Sequence, residues 1–239
     1  LRFDGGDSIE PELSIDRDGL TGWLKGGVGT RYESVPRANA NGDHDLPVYR
    51  TGRRVTLTGL IRTDSPAEQD HMVRRLTGLM NLKTKQRFVV ENAMDTTWAD
   101  LKVDSSEANP LVYGQIARYR LELWADDPEI FGETRQFTAG QAAYHYGNAD
   151  AVPILEVTGV YPSGYTVSVP GHSFVVTQAL AAGQTHRIDL ATGWLYRNGV
   201  LQSGAVGQAN TWTIPPGETV THSLTGSGTL KVSVIDTSL

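Results

Sequence analysis

Two adjacent acids beside a tryptophan are the most conspicuous candidates for chemistry in this sequence. The stretch "YRLELWADDPEIFG", residues 119–132, places Asp126 and Asp127 close to Trp124. Glycoside hydrolysis uses two carboxyl groups that flank the scissile bond, and the indole could support a sugar ring. Adjacent side chains at the end of a strand point in different directions, however, and an Asp before Pro128 commonly begins a turn. We therefore predict that this corner ends a strand and is not catalytic.

No other pattern in the sequence predicts a reaction centre. The six histidines are scattered without the His-x-His or His-Glu-x-x-His spacing of a metal site: His44, His71, His145, His172, His186 and His222. The glycine-rich runs at 26–29 and 225–228 lack the Lys-Ser/Thr of a phosphate-binding loop, and there is no Gly-x-Ser-x-Gly elbow. We predict no catalytic, metal-binding or cofactor-binding residues, no cofactor, and a protein that is not an enzyme. An enzyme remains an alternative that depends only on the unassigned acids Asp95, Asp100, Asp126 and Asp127.

Composition and the length of the apolar stretches argue against two classes of partner. The 239 residues carry a net charge of -6, a poor match for a protein whose main ligand is nucleic acid. A local basic patch is more typical of a solvated helix face and its exit: Arg74, Arg75, Lys83, Lys85 and Arg87. No apolar stretch approaches the ~18 residues that a membrane span needs. We predict neither specific nucleic-acid binding nor a membrane partner. The absence of cysteine fits assembly in a reducing cytosol.

One helix and several strands are predicted in the first half. Ser65 is suited to the N-cap, Pro66 to the first turn, and Glu68 to reciprocal capping, so a helix is expected over 66–82. Its apolar residues recur at helical spacing: Met72, Val73, Leu76, Leu79 and Met80. Alternating or β-branched runs predict strands at 55–61, 87–90, 98–103 and 116–124.

The second half has the texture of an antiparallel sandwich or jelly roll. Short apolar runs recur every ten to fifteen residues, at 154–157, 166–169, 173–176, 193–196 and 230–234. Asn198-Gly199 suits a two-residue hairpin turn. We predict two domains, 1–135 and 136–239, with a polar linker at 133–151 that has no period of its own.

Four stretches together resemble a known family. They are "GDHDLPVYRTGRRVTLTGLIR" (42–62), the capped helix, "RYRLELWADDPEIFG" (118–132) and "AVPILEVTG" (151–159). This combination resembles the distal tail proteins (Dit-like) of long-tailed bacteriophages, the siphophage tail-tip or baseplate hubs. It is specific over residues 40–160. One departure is Glu129, where a basic residue is expected after the proline.

The resemblance implies a structural role. Such proteins form homo-hexameric rings that join the tail tube to tail-tip proteins, with the N-terminal domain in the ring and a galectin-like C-terminal sandwich projecting outward. The implied partners are the tail tube protein, the tape measure protein and the tail-associated or baseplate hub protein. The implied location is the distal end of the virion's tail, after assembly in the host cytoplasm. The implied fold is mainly β: a β-rich domain with one helix, then a galectin-like sandwich.

A closed ring needs two different patches on each subunit. The segment 21–48 is the best source of one, because Trp23, Tyr32 and Val35 lie among glycines and polar residues without a helical or strand period. We predict these three residues as subunit-interface residues.

The alternative function is a carbohydrate-binding or receptor-binding tail module. The second half contains aromatic residues that could stack on sugars, although aromatic residues of a sandwich are more often part of its core: Tyr161, Tyr165, Trp194, Tyr196 and Trp212.

Overall fold

The chain is divided by its internal contacts into two units. The computed structural model describes residues 2–3, 13–24 and 26–239. Unit 1 comprises Leu1–Ile130 with Leu239, and unit 2 comprises Phe131–Ser238. These ranges lie close to the predicted 1–135 and 136–239, and the independence of the two as domains stays a prediction.

Unit 1 is an antiparallel sheet with one α-helix. Its strands are β1 (Arg2–Phe3), β2 (Leu13–Thr21), β3 (Val28–Arg31), β4 (Tyr49–Arg62), β5 (Gln86–Glu91), β6 (Thr96–Val112) and β7 (Ile116–Ala125). The order across the sheet is β1-β5-β6-β7-β4, and both β2 and β3 pair with β4. All four strands predicted in this half are present, and β4 and β6 are considerably longer than expected.

Strand β4 pairs with β7 and also with β2 and β3, and its burial alternates from residue to residue. Val55, Leu57 and Ile61 are fully buried, whereas Thr56, Thr58 and Leu60 on the other face are partly exposed. β4 pairs with β7 from Arg53↔Ala125 to Arg62↔Ile116, which brings its buried residues opposite those of β7.

A glycine permits the close approach of β2 to β4. A Cβ on Gly59 would lie 1.9 Å from the Ser14 carbonyl oxygen and 2.8 Å from the Tyr119 hydroxyl. The position therefore admits no side chain without movement of the β2 backbone.

The predicted helix is confirmed as α1 (Pro66–Gly78), followed by a 3₁₀ turn at Leu79–Asn81. The Ser65 hydroxyl accepts from the Glu68 N–H at 3.3 Å. The Glu68 carboxylate accepts from the N–H of Asp64 at 2.9 Å, one residue before the expected partner. Met72 and Leu76 are buried against β4, β6 and β7, whereas Met80 is exposed.

Unit 2 is an antiparallel sandwich. One sheet has the order β15-β14-β13-β10-β19-β8, the second β16-β12-β11-β18, and β9 pairs with β17. The strands are β8 (Ile130–Thr138), β9 (Ala142–Ala143), β10 (Ile154–Thr158), β11 (Tyr165–Val169), β12 (His172–Val176), β13 (Thr185–Asp189), β14 (Trp194–Arg197), β15 (Val200–Leu201), β16 (Val206–Ala209), β17 (Val220–Thr221), β18 (Ser223–Leu224) and β19 (Thr229–Ser238).

The two sheets share one core. Leu155, Ile188 and Val232 enter it from the first sheet, and Val167 and Phe174 enter it from the second, all of them fully buried. The five strands predicted in this half are confirmed, and so is the turn between β14 and β15, where Asn198 has φ 49° and Gly199 φ 82°.

The prediction that residues 133–151 form an irregular linker is wrong. Residues 133–138 belong to β8, and β9 lies at Ala142–Ala143. His145 is buried nearby, with Nε2 donating to the Ile214 carbonyl at 3.0 Å and Nδ1 accepting from the Gly147 N–H. The polar sequence is ordered because sheet pairing and these hydrogen bonds satisfy its backbone.

Candidate subunit interface

A buried arginine holds the base of the segment that was predicted to contact other subunits. Arg53 is fully buried on β4, beside the turn that joins β2 to β3. Its Nη1 donates to the carbonyl oxygens of Gly22 at 2.8 Å and Trp23 at 2.5 Å, and its Nε donates to Pro128 at 2.8 Å. Burial lowers the pKa of Arg53. One guanidinium therefore ties the 22–27 turn to the corner at Pro128.

The prediction for Trp23 required an exposed indole, and the structure instead buries it at 2% exposure. Its Nε1 donates to Thr97 Oγ1 at 3.0 Å, and its ring meets that of Phe88 edge to face at 5.5 Å. Trp23 is a core residue of unit 1 because these partners come from distant strands, which local periodicity does not reveal. Its ring is not available to a neighbouring subunit.

Tyr32 and Val35 lie on an exposed segment, residues 32–48, which we call the arm. Tyr32 is 68% exposed, and Val35, Val48 and Tyr49 are also exposed. The prediction of a stretch without strands was incomplete, because β3 precedes the arm and pairs with β4.

Few internal bonds hold the arm. Pro36 and Asp43 form an isolated bridge, the His44 N–H donates to the Val35 carbonyl at 2.9 Å, and the Ser34 hydroxyl donates to Asp43. A long exposed loop with apolar side chains is typical of an interaction surface.

A second exposed apolar surface, missed in the sequence, lies at the turn between β6 and β7. We call Leu111, Val112 and Tyr113 the tip; Tyr113 is 66% exposed. The side chain of Gln69, fully buried on α1, donates to the Val112 carbonyl at 3.3 Å and accepts from the Gly114 N–H at 3.0 Å. The tip is thus rigidly placed. Three apolar residues just before a turn glycine were the available signal.

The acidic corner is a surface ion cluster. Asp126 accepts from Lys102 Nζ at 2.9 Å and from Trp124 Nε1 at 3.1 Å, and Lys85 Nζ lies 3.1 Å away. Hydrogen bonds from Lys102 and Lys85 lower the pKa of Asp126 to about 2. Asp127 lies 3.8 Å from Lys85 Nζ. A carboxylate this acidic is a poor general acid or base near neutral pH, which agrees with the predicted structural corner.

The aromatic candidates of unit 2 separate into core and surface. Tyr161, Tyr165 and Trp212 are buried in the sandwich core. Tyr196 is half-buried, and Trp194 is 52% exposed. The indole of Trp212 lines a groove of about 790 Å³, but it is only 6% exposed and its Nε1 donates to His222 Nε2 at 3.1 Å. Trp194 is therefore the best available stacking ring of the five.

Two further searches of the described parts of the chain gave no site. Within residues 2–3, 13–24 and 26–239, no three His, Asp or Glu side chains are grouped so that they could hold a metal ion. None of the helices in those ranges has the length and apolar character required to cross a membrane.

Neither a protein-family model nor a curated protein matches the sequence. Its fold nevertheless defines a class: a β-rich unit with one helix, followed by an antiparallel sandwich. The same fold is seen in the crystal structure of the SPP1 Dit (gp 19.1) protein, described as a paradigm of the hub adsorption apparatus in phages that infect Gram-positive bacteria. The TM-score is 0.80 and the identity 11%, over 99% of this chain and 98% of that one.

Two structures of the phage P2 baseplate in its activated conformation also match. The one with Ca has a TM-score of 0.45 and 7% identity over 87% of each chain. The one with Sr has a TM-score of 0.47 and 8% identity, over 93% of this chain and 90% of that one.

Proposed function

We propose that this chain is a structural hub protein of a phage tail tip. Copies of it form a closed hexameric ring that joins the tail tube to the tail-tip or baseplate proteins. Its partners are then the tail tube protein, the tape measure protein and a tail-associated hub protein, at the distal end of the virion's tail. No catalytic step belongs to this role.

The observation that carries the proposal is the fold shared with SPP1 Dit along nearly the whole of both chains. The four sequence stretches that resemble distal tail proteins support it independently of the fold. The acidic corner is compatible with this role, since Lys85 and Lys102 hold Asp126 in surface ion pairs.

The ring requires head-to-tail contacts between two different patches. Unit 1 offers the arm and the tip, each with several exposed apolar residues. The tip is held by Gln69, and Arg53 holds the 22–27 turn that precedes β3 and the arm. We propose that the arm of one copy contacts the tip of the next.

Disulfide cross-linking tests the contact directly, since the chain has no cysteine of its own. Both Val35 and Leu111 are exposed, so Val35→Cys and Leu111→Cys should not disturb the fold. Under oxidation, the double variant should give a ladder that ends at a closed ring on a non-reducing gel. An equimolar mixture of the two single variants should stop at dimers, because each copy then carries only one reactive patch.

The matched control pairs Val35→Cys with Val200→Cys, an exposed valine of unit 2 outside both patches, and should give no ladder. Rings seen by native mass spectrometry without arm-to-tip cross-links would refute this contact and leave the hub standing. A protein that stays monomeric at high concentration, and forms no rings with tail tube protein, would refute the hub itself.

A further inference from the structure

The first sheet of unit 2 turns one face away from the core, and that face carries the exposed Trp194. Leu195, Ile188 and Leu155 lie opposite one another on β14, β13 and β10 and are buried. Because neighbouring residues of a strand point to opposite faces, Trp194 and Asp189 lie together on the outer face as a directly opposed pair.

A second row of side chains crosses the same face. Tyr196 lies opposite Arg187, Arg187 opposite Glu156, and Glu156 opposite Lys231. The outer face therefore combines an exposed indole, a half-buried phenol ring and four charged groups on four adjacent strands. Regular strands fix their spacing, which lowers the entropic cost of ordering them around a ligand.

The polar groups beside Trp194 are held in place before any ligand binds. Asp189 Oδ1 accepts from the Ala191 N–H at 3.0 Å, and its Oδ2 lies 4.0 Å from Arg187 Nη2. The Arg187 guanidinium also lies 5.6 Å from the centre of the Tyr196 ring. A planar donor fork and a carboxylate thus stand next to the aromatic rings, as required to bind neighbouring hydroxyl groups.

The charges of this face balance. Arg187 pairs with Asp189, and Lys231 Nζ lies 3.2 Å from Glu156. Because each cation already has a carboxylate partner, the face has no surplus positive charge for a phosphate or an acidic sugar. The high share of charged groups also differs from the centre of a protein interface, which is depleted in them.

We propose that this outer face is a binding site for a neutral saccharide. The apolar C–H face of a pyranose ring would lie on the indole of Trp194, whose π-surface is negative. The ring's hydroxyl groups would exchange hydrogen bonds with Arg187 and Asp189. The site goes beyond the hub function and does not depend on it, since every residue belongs to unit 2.

The test is an array of neutral hexose and N-acetylhexosamine oligosaccharides, with sialylated and phosphorylated glycans as a separate arm, probed with the full chain. The strongest neutral glycan is then titrated calorimetrically. We expect binding at a Kd of about 1 mM or tighter. Trp194→Ala should weaken it about tenfold or more, Trp194→Phe less, and Arg187→Gln should weaken it as well.

Tyr146→Ala is the matched control. Tyr146 is also an exposed aromatic residue of unit 2, with Arg135 4.3 Å from its ring centre and Asp236 paired to that arginine, and its removal should leave binding unchanged. Urea midpoints confirm that each variant is folded.

The site would be overturned by any of these results: no neutral glycan bound, anionic glycans preferred, affinity unchanged in Trp194→Ala, or affinity lost in Tyr146→Ala. Loss of ring formation in Trp194→Ala without glycan binding would make the face a protein contact and would equally overturn it. Ring formation is measured separately by native mass spectrometry, so failure of the glycan site leaves the hub untouched.

Discussion

Replacing the buried Arg53 of β4, which holds the 22–27 turn, should strongly lower the free energy of unfolding. Arg53→Met keeps the length and most of the apolar stem but removes the donors for the Gly22, Trp23 and Pro128 carbonyls. Leaving a buried acceptor unpaired costs ~1–3 kcal/mol. Gly22 and Trp23 are both buried, so the two unpaired acceptors would cost about 2–6 kcal/mol by that rule.

Methionine also removes the desolvation cost of a buried cation, which offsets part of this loss. We therefore expect Arg53→Met to lower the free energy of unfolding by about 3 kcal/mol. Arg53→Lys should lose a similar amount, because a point charge on a flexible stem cannot replace the planar fork.

Urea unfolding followed by tryptophan fluorescence measures the effect, and hydrogen exchange in peptides covering 20–27 locates it. The control is Arg54→Met, one residue along β4, where the side chain is more than half exposed and its ion pairs to Asp104 and Glu122 are 3.9 and 3.8 Å long. That variant should lose less than about 0.5 kcal/mol. Equal stability of the Arg53 and Arg54 variants would refute the reasoning.

Four further variants test other parts of the structure. Ser65→Ala removes the N-cap acceptor and should lower the free energy of unfolding by on the order of 1 kcal/mol in chemical denaturation. Leu76→Asp should cost considerably more because it buries an unpaired charge. Unchanged thermal stability of Leu76→Asp would mean that α1 has no buried face. Gly59→Ala should lower the free energy of unfolding by more than the ~1 kcal/mol that differences in strand propensity can explain, because the new Cβ would clash with the β2 backbone. A crystal structure of an equally stable variant with β2 in the same place would contradict this. Burial lowers the pKa of His222 to about 4, below an unfolded value of about 6.5. Between these pH values the unfolded chain binds a proton that the folded chain does not, so the free energy of unfolding should fall by up to about 3 kcal/mol as the pH drops from 6.5 to 4. In His222→Gln, urea midpoints measured across this range should depend less on pH.

Local patterns determined which elements could be predicted. The N-cap, the proline and the apolar stripe all indicated α1, and strict alternation indicated β7. Strand β13 was missed because "THRID" is mostly polar, although His186 and Ile188 point into the core. Burial lowers the pKa of His186, and its Nδ1 is paired with the Tyr165 hydroxyl at 3.1 Å. A polar residue buried with its partner leaves no apolar signal.

The candidate interface was only partly predictable for a related reason. The exposure of Tyr32 and Val35 followed from a stretch with no partner for its apolar side chains nearby in sequence. Trp23 lies in the same stretch, but its partner Thr97 is far along the chain, and only the folded sheet brings the two together. The same is true of Arg53, whose acceptor at Pro128 is also distant in sequence.

The arrangement of β3, β4 and β7 has a mechanical consequence. The arm joins the end of β3 to the start of β4, so a pull on it loads both strands, and a pull directed across the sheet would separate the pair stepwise, from Arg31↔Tyr49 towards Val28↔Arg53. Peeling of this kind strains one pair at a time and needs little force. At Arg53 the geometry changes, because the guanidinium holds the turn and β4 then runs alongside β7 as far as Arg62↔Ile116. Tension along that stretch would be shared by many hydrogen bonds in shear, so the arm could yield by a few residues while the sheet behind it stayed intact.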